Sequence, residues 1–468
     1  MNPDSRGTLS APRTVTDGAE RAIGFEELGQ LVENGAVTTV LLAVPDMQGR
    51  LKGKRYDAHG FLRHVATDAA EMCAYILATD VGMCPLDGYE LASFDTGYGD
   101  FSLRPDATAV HQLAWMRRTV LVFTDALGHD GRPVDVAPRY ILQRQLDHLA
   151  AGGITAQVGL ECEVVLYQGY YTDAERTGYR RLRPLSTSNL DYALDHPPLM
   201  ARYFQELEEA LAGTDLPVEA IKSEGAPGQA EVTFRHGDPL RAADGHLLFK
   251  HAARNVGQQV GVAPTFMAAP ATGIGSGLHI HLSLHRDGQP LFSPASGEVP
   301  ETARSVVAGL LEALPHLAPL YAPTVNSYKR FTPGTFAPLN FSWGHDNRTC
   351  AIRVVGTGDD LHLEVRLPGA DANPYLALAA VLAAAGHGLD RKLDPPCPII
   401  SNAFEASNAP LLPNTLEEAH ASLCDGPLAD ELLTPKVAEH YALAARHEID
   451  VNRTAVTGEE LRRGFATA

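Results

Sequence analysis

Residues 158–167 read VGLECEVVLY, an apolar run carrying two carboxylates. A β-strand alternates its side chains with a period of two, so Glu161 and Glu163 share one face while Leu160, Cys162 and Val164 share the other. Adjacent carboxylates repel unless a cation neutralises them. The same alternation returns at 275–284, GSGLHIHLSL, which puts His279, His281 and Ser283 on one face, and at 361–368, LHLEVRLP, which does so for His362, Glu364 and Arg366. In 223–234, SEGAPGQAEVTF, Glu224 and Glu231 flank a Gly/Pro turn. One Glu-X-Glu strand is explained equally well by a solvated sheet face. Four polar sets, each set among apolar residues, fit a single polar pocket better than four independent solvent faces. Hard carboxylate oxygens with one or two imidazoles suit Mg²⁺ or Mn²⁺, and this many carboxylates imply more than one ion.

Working outward, a second constellation is basic: Arg330 in SYKRF, Arg348 and Arg353 in DNRTCAIRV, and Arg366 beside Glu364. Arginine captures carboxylates and phosphates in bidentate fashion, and an acidic, metal-loaded pocket ringed by arginines is what phosphoryl transfer requires. The remaining chain reads as α+β. Residues 1–21 are polar and rich in small residues, which predicts a disordered arm. Phe25, Leu28, Leu31 and Val32 have helical spacing up to Gly35, and VTTVLLAV then reads as a strand turning through PDMQG. A small α+β unit is expected over 22–117. A second region over 118–468 mixes strands with helices such as RYILQRQLDHLAAGG and NPYLALAAVLAAAGHG, the latter predicted to end at Gly386 and Gly388.

Composition narrows the function classes. With 38 basic and 57 acidic residues the formal charge is −19, which argues against a nucleic-acid or anionic-membrane partner but tolerates a small cationic substrate. No apolar stretch approaches the roughly 20 residues that span a bilayer, and the start lacks the apolar block of a secretory signal, so a cytoplasmic protein is expected. The cysteines, Cys73, Cys84, Cys162, Cys350, Cys397 and Cys424, stand singly and read as reduced and buried.

These residues resemble the glutamine synthetase family. The likeness runs in order through TTVLLAVPDMQGRLKGKR, SLRPDATAV, GLECEVVL, EGAPGQAEVTF, GSGLHIHLSL, NSYKRFTPG, DNRTCAIRV and LEVRLPGADANPYLALAA. The resemblance implies a small β-grasp domain before a catalytic domain with a curved antiparallel sheet, assembled as a homo-dodecamer of two hexameric rings. It implies one metal ion on Glu163, Glu224 and Glu231, and another on Glu161, His279 and Glu364. It further implies a nucleotide side at His281 and Ser283, glutamate carboxylates clamped by Arg330 and Arg366 beside Gly275, and a phosphoryl group stabilised by Arg348 and Arg353. The implied chemistry is attack of the glutamate γ-carboxylate on ATP, then displacement of phosphate by an amine, with Glu224 as the candidate base.

Departures from the family pattern point to the amine. In the loop PGTFAP, Phe336 stands where ammonium-using members carry a glutamate, and EMCAYILATDVG lacks the Asp-Gly-Ser-Ser run that supplies a further ammonium contact. A ring there replaces a cation-gripping carboxylate with an apolar wall, which suits a primary alkyl amine. Ile274 replaces an asparagine near glutamate, Asp359 and Asp360 stand where basic residues often approach the nucleotide, and Leu393 replaces a tyrosine that some members adenylylate. VPDMQGRLKGKR, SFDTGYGD, NSYKRF and DNRTCAIRVVG are most similar to the actinobacterial branch that γ-glutamylates ethanolamine. Polyamine-specific relatives are the nearest competitor. The same residues also leave room for an ordinary ammonium-using synthetase and for an inactive structural or regulatory ring protein.

Overall fold

The structure, a computed structural model, describes residues 23–293 and 299–467, so the expected arm at 1–21 lies outside the described residues. The predicted first helix forms over Phe25–Glu33 and buries Leu28 and Val32. Strands β1 (Thr39–Pro45) and β2 (Leu51–Asp57) follow, joined by a turn in which Asp46 Oδ1 accepts the backbone N–H groups of Gln48 and Arg50 at 3.0 and 2.8 Å. With β3 (Ala70–Cys73), β4 (Asp100–Gln112) and β5 (Thr119–Leu127) they make a sheet of order β2-β1-β5-β4-β3. β1 and β5 run parallel and the other neighbours antiparallel. Although the second region is expected to open at 118, β5 is hydrogen-bonded at the centre of this first sheet.

The second sheet contains β6 (Ile154–Gln168), β7 (Val218–Ser223), β8 (Gln229–Phe234), β9 (Val262–Thr265), β10 (Leu278–Arg286), β11 (Gln289–Pro290), β12 (Trp343–His345), β13 (Ile352–Val355) and β14 (His362–Val365). Its order is β12-β13-β14-β10-β6-β8-β7, with β9 on β6 and β11 on β10. The expectation of an antiparallel sheet needs one correction, since β12 and β13 pair in parallel. Leu160, Cys162 and Val164 are buried on the side away from Glu161 and Glu163. The helices Pro138–Ala151 and Pro239–Val260 pack on β6, and Pro374–Arg391 packs on both of them.

That last helix corrects a second expectation. It runs through Gly386 and Gly388 and stops at Lys392, which adopts the left-handed conformation. The glycines serve packing instead: a Cβ on Gly388 would stand 2.0 Å from the Ser305 carbonyl oxygen and 3.0 Å from Gly309 Cα, on the neighbouring helix Glu301–Ala313. The cysteines are free, but only Cys162 and Cys350 are buried. Cys73 is half-buried, and Cys84, Cys397 and Cys424 are exposed, each near a loop or helix end where no core is available to cover it. Among the described residues no helix is long and apolar enough to cross a membrane.

Candidate active site

Strand register assembles the acidic cluster. Glu161 pairs across the ladder with His279, Glu163 with Glu231, and His281 with Glu364. Because cross-strand partners share a face, residues far apart in sequence converge on one patch of sheet. Ligand atoms of Glu163, Glu224 and Glu231 fall within 4.8 Å of one another, as do those of Glu161, Glu231 and His279, and of Glu161, His281 and Glu364. His279 Nδ1 is 3.5 Å from Glu161 and 3.5 Å from Glu364. This donor set, mostly hard carboxylate oxygen with imidazole, fits Mg²⁺ or Mn²⁺.

The electrostatics reflect crowding. Burial, followed by the charge of Glu161 and then of Glu224 and Glu163, outweighs Lys222 and pushes the Glu231 carboxyl up to about 8. Glu161 is desolvated too, yet hydrogen bonding to His279 and His281 brings it below the usual carboxylate range. Burial opposes ionisation of Glu364 as well, but Arg366, His279, His281 and Arg353 together hold it down at about 2.

A cavity of about 930 Å³ opens over this cluster and is also lined by Ile274, Gly275, Phe336, Arg348, Arg353 and Arg366. Arg353 Nη1 donates to Glu364 Oε2 at 2.9 Å, and Arg366 Nη1 donates to Glu364 Oε1 at 2.5 Å. Among the described residues buried Arg366 Nε has no hydrogen-bond partner, a donor left over for an incoming anion. Arg348 is exposed at the rim. Arg330 is placed differently: it is buried, and it spends its guanidinium on the carbonyls of Leu367 and Arg366 at 2.9 and 3.0 Å, behind Gly275. Phe336 sits on the exposed loop with φ +57 and is 69% exposed.

His281 and Ser283 line a second cavity, about 510 Å³, on the other side of Glu161, with His285, His362, Asp359 and Asp360. Glu161 borders both cavities. His362 Nε2 lies 3.0 Å from His281 Nδ1, and Ser283 Oγ lies 3.2 Å from His285 Nε2.

Sequence reasoning missed three residues here. Gln229 Nε2 donates to Glu163 Oε2 at 2.9 Å and to the Gly275 carbonyl at 2.8 Å, fixing one acid against the loop. Lys222 reaches Glu224 and Glu231, and Tyr192 lies beneath its ammonium. The period-two rule, applied to QAEVTF from Glu231, would have found Gln229, two residues earlier on the same strand. Extended to VEAIKSE, it would have set Lys222 beside Glu224. Tyr192 had no such signal, because it lies in a loop at positive φ.

The family model for the glutamine synthetase catalytic domain matches residues 135–464. The chain is 44% identical to a γ-glutamylethanolamide synthetase of Streptomyces coelicolor, over 95% of this chain and 96% of that protein. It is 30% identical to a glutamate–isopropylamine ligase of a Pseudomonas species, over 92% and 96% respectively. The solved structure of a GmaS–ADP complex superposes with a TM-score of 0.81 at 26% identity, covering 94% of this chain and 99% of that one.

Proposed function

The chain belongs to the glutamine synthetase family of ATP-dependent carbon–nitrogen ligases, and on that premise we propose that it joins the γ-carboxylate of glutamate to ethanolamine, giving γ-glutamylethanolamide. The observation that carries the amine assignment is the cavity wall. Where an ammonium-using site needs a carboxylate, this one presents Phe336, and Ile274 lines the same cavity over the acidic cluster. The likeness to ligases named for ethanolamine and isopropylamine supports the same reading.

In the proposed reaction a γ-carboxylate oxygen of glutamate attacks the terminal phosphorus of ATP and the bond to ADP breaks. The alkylammonium first gives one proton to Glu224; its nitrogen then attacks the acyl carbon of γ-glutamyl phosphate, the C–O bond to phosphate breaks, and phosphate leaves with the second proton shed by nitrogen. Arg366 offers its free Nε to a glutamate carboxylate, with Arg330 and Gly275 shaping the backbone behind it. Arg353 and Arg348 face the transferred phosphoryl group, and His281 and Ser283 serve the nucleotide from the second cavity. Glu163, Glu224 and Glu231 would hold one divalent ion and Glu161, His279 and Glu364 another. Bound there, Mg²⁺ or Mn²⁺ supplies charge that stabilises the phosphoryl oxygens. A free alkyl amine is mostly protonated at neutral pH, with a pKa of about 10 by analogy with lysine, so a base is required. Phe336 walls in the carbon part of the amine.

The reading extends to the molecule: a small domain on the first sheet, a catalytic domain on the second, a cytoplasmic location, and a homo-dodecamer of two hexameric rings. The test is phosphate release with ATP, Mg²⁺ and glutamate while the amine alone is varied among ammonium, ethanolamine, putrescine and spermine, with the product mass checked. Ethanolamine should give the highest kcat/KM. Turnover best with ammonium would return the chain to ordinary glutamine synthesis, and turnover best with putrescine or spermine would make it a polyamine enzyme.

A further inference from the structure

Lys222 stands opposite Glu231 in the β7–β8 ladder, so its side chain falls on the face that carries the acidic cluster. Its ammonium donates to Glu224 in a very short contact and lies 3.4 Å from Glu231 Oε1. The ring of Tyr192 lies 4.7 Å from the same nitrogen. Lys222 therefore touches two of the three acids, Glu163, Glu224 and Glu231, whose ligand atoms lie within 4.8 Å of one another. At the other end of the cluster Arg353 and Arg366 engage Glu364, and Glu161 lies beside His279 and His281.

We propose that Lys222 is a tethered counter-ion for the Glu163–Glu224–Glu231 site, holding Glu224 and Glu231 in the resting protein and giving them up when a divalent cation binds, so that it selectively weakens that site for the metal. The proposal rests on the ligand assignment above. A divalent cation takes carboxylate oxygens at about 2.0–2.6 Å, and an ammonium within hydrogen-bond range of the same oxygens competes for the same lone pairs. The two cations also repel at such separations. Lysine suits the role because its charge is compact and its four-carbon stem is flexible, whereas arginine's planar fork is fixed. The Tyr192 face gives the displaced ammonium a place to rest. The consequence is that the Glu163–Glu224–Glu231 site fills at a higher metal concentration than its three carboxylates alone would require.

The experiment is Mn²⁺ titration of the full-length protein, read by the electron paramagnetic resonance signal of free Mn²⁺, with no nucleotide, glutamate or amine present. Wild type should take up two ions per chain with unequal affinity. Lys222→Met should tighten the site that Glu231→Gln removes, about tenfold or more, and leave the other unchanged. Lys222→Arg, which keeps the charge on a less yielding fork, should leave that site no tighter than in wild type. Lys222→Gln repeats the neutral contrast should methionine not be tolerated. A neutral variant with wild-type circular dichroism and unchanged or weakened Mn²⁺ binding overturns the proposal while leaving the ligand assignment standing. No Mn²⁺ uptake by wild type, and no loss of a site in Glu231→Gln, overturns the assignment and the proposal together.

Discussion

Phe336 combines two features that seldom coincide, a left-handed backbone and a largely exposed aromatic ring. A non-glycine residue pays about 1–2 kcal/mol for that conformation. The loop offsets this through Thr335, whose Oγ1 donates to the carbonyls of Arg330 and Thr332 at 2.5 and 2.8 Å and so aims residue 336 at the cavity rim. Phe336→Glu is accordingly expected to lower the ratio of kcat/KM for ethanolamine to that for ammonium by about tenfold or more, since a carboxylate–cation contact replaces an apolar one. Steady-state phosphate release with the two amines measures it, and an unchanged ratio would remove Phe336 from amine selection. Arg366 is tested in parallel: Arg366→Met withdraws the free Nε and leaves Glu364 with one arginine fewer, so KM for glutamate should rise about tenfold or more. If KM holds while kcat falls, Arg366 acts on Glu364 and not on the substrate.

At the scale of elements, the second sheet was the most legible part of the molecule. Polar residues at every second position on apolar strands can be read without coordinates, and the ladder pairs Glu161 with His279 and His281 with Glu364 as that alternation requires. Arg330 was less legible, because spacing says which face a side chain takes in a strand but not how a loop residue spends its donors. The two glycines of the helix Pro374–Arg391 were misread for a related reason. Glycine signals a helix end through backbone freedom, yet it also permits close helix approach, and only the packing partner tells the two apart. Here the partner is the helix Glu301–Ala313, whose Gly309 would meet the Ala384 carbonyl oxygen at 2.2 Å if it carried a Cβ. Gly388→Ala must push these helices apart and should cost about 1–3 kcal/mol in urea unfolding. Gly458→Ala, where an added Cβ meets nothing within 4 Å, is the control and should lie within about 0.5 kcal/mol of wild type.

At the scale of the whole molecule, polar contacts tie the first sheet to the rest of the chain. Arg139 joins Asp106 on β4 and Asp125 on β5, both at 2.6 Å, to Asp244 at 3.1 Å on the helix Pro239–Val260. Asn373 donates to the carbonyls of Asp46 and Met47 at 3.0 and 3.1 Å, and Tyr441 donates to the Val136 carbonyl. Removing Arg139 strands three carboxylates in or near a low-dielectric interior, so Arg139→Met should destabilise by about 3–5 kcal/mol in urea unfolding. His440 makes the same junction sensitive to pH. Its Nε2–H donates to the Leu77 carbonyl at 2.8 Å and its ring packs 4.5 Å from that of Tyr89. Burial holds its pKa down at about 3, against about 6.5 in an unfolded chain. The folded state therefore favours the neutral ring, and stability present above about pH 6.5 is lost as the pH falls toward 3, because the unfolded chain binds the proton first. The loss approaches about 1.4 kcal/mol per pH unit in that window. Glutamine can donate to the same carbonyl without titrating. His440→Gln should therefore be somewhat less stable than wild type at pH 7, through lost packing, yet lose about 1–2 kcal/mol less between pH 6.5 and 5. Urea midpoints across that range read the difference directly, and parallel curves for the two proteins would show that His440 contributes nothing to the acid sensitivity of this junction.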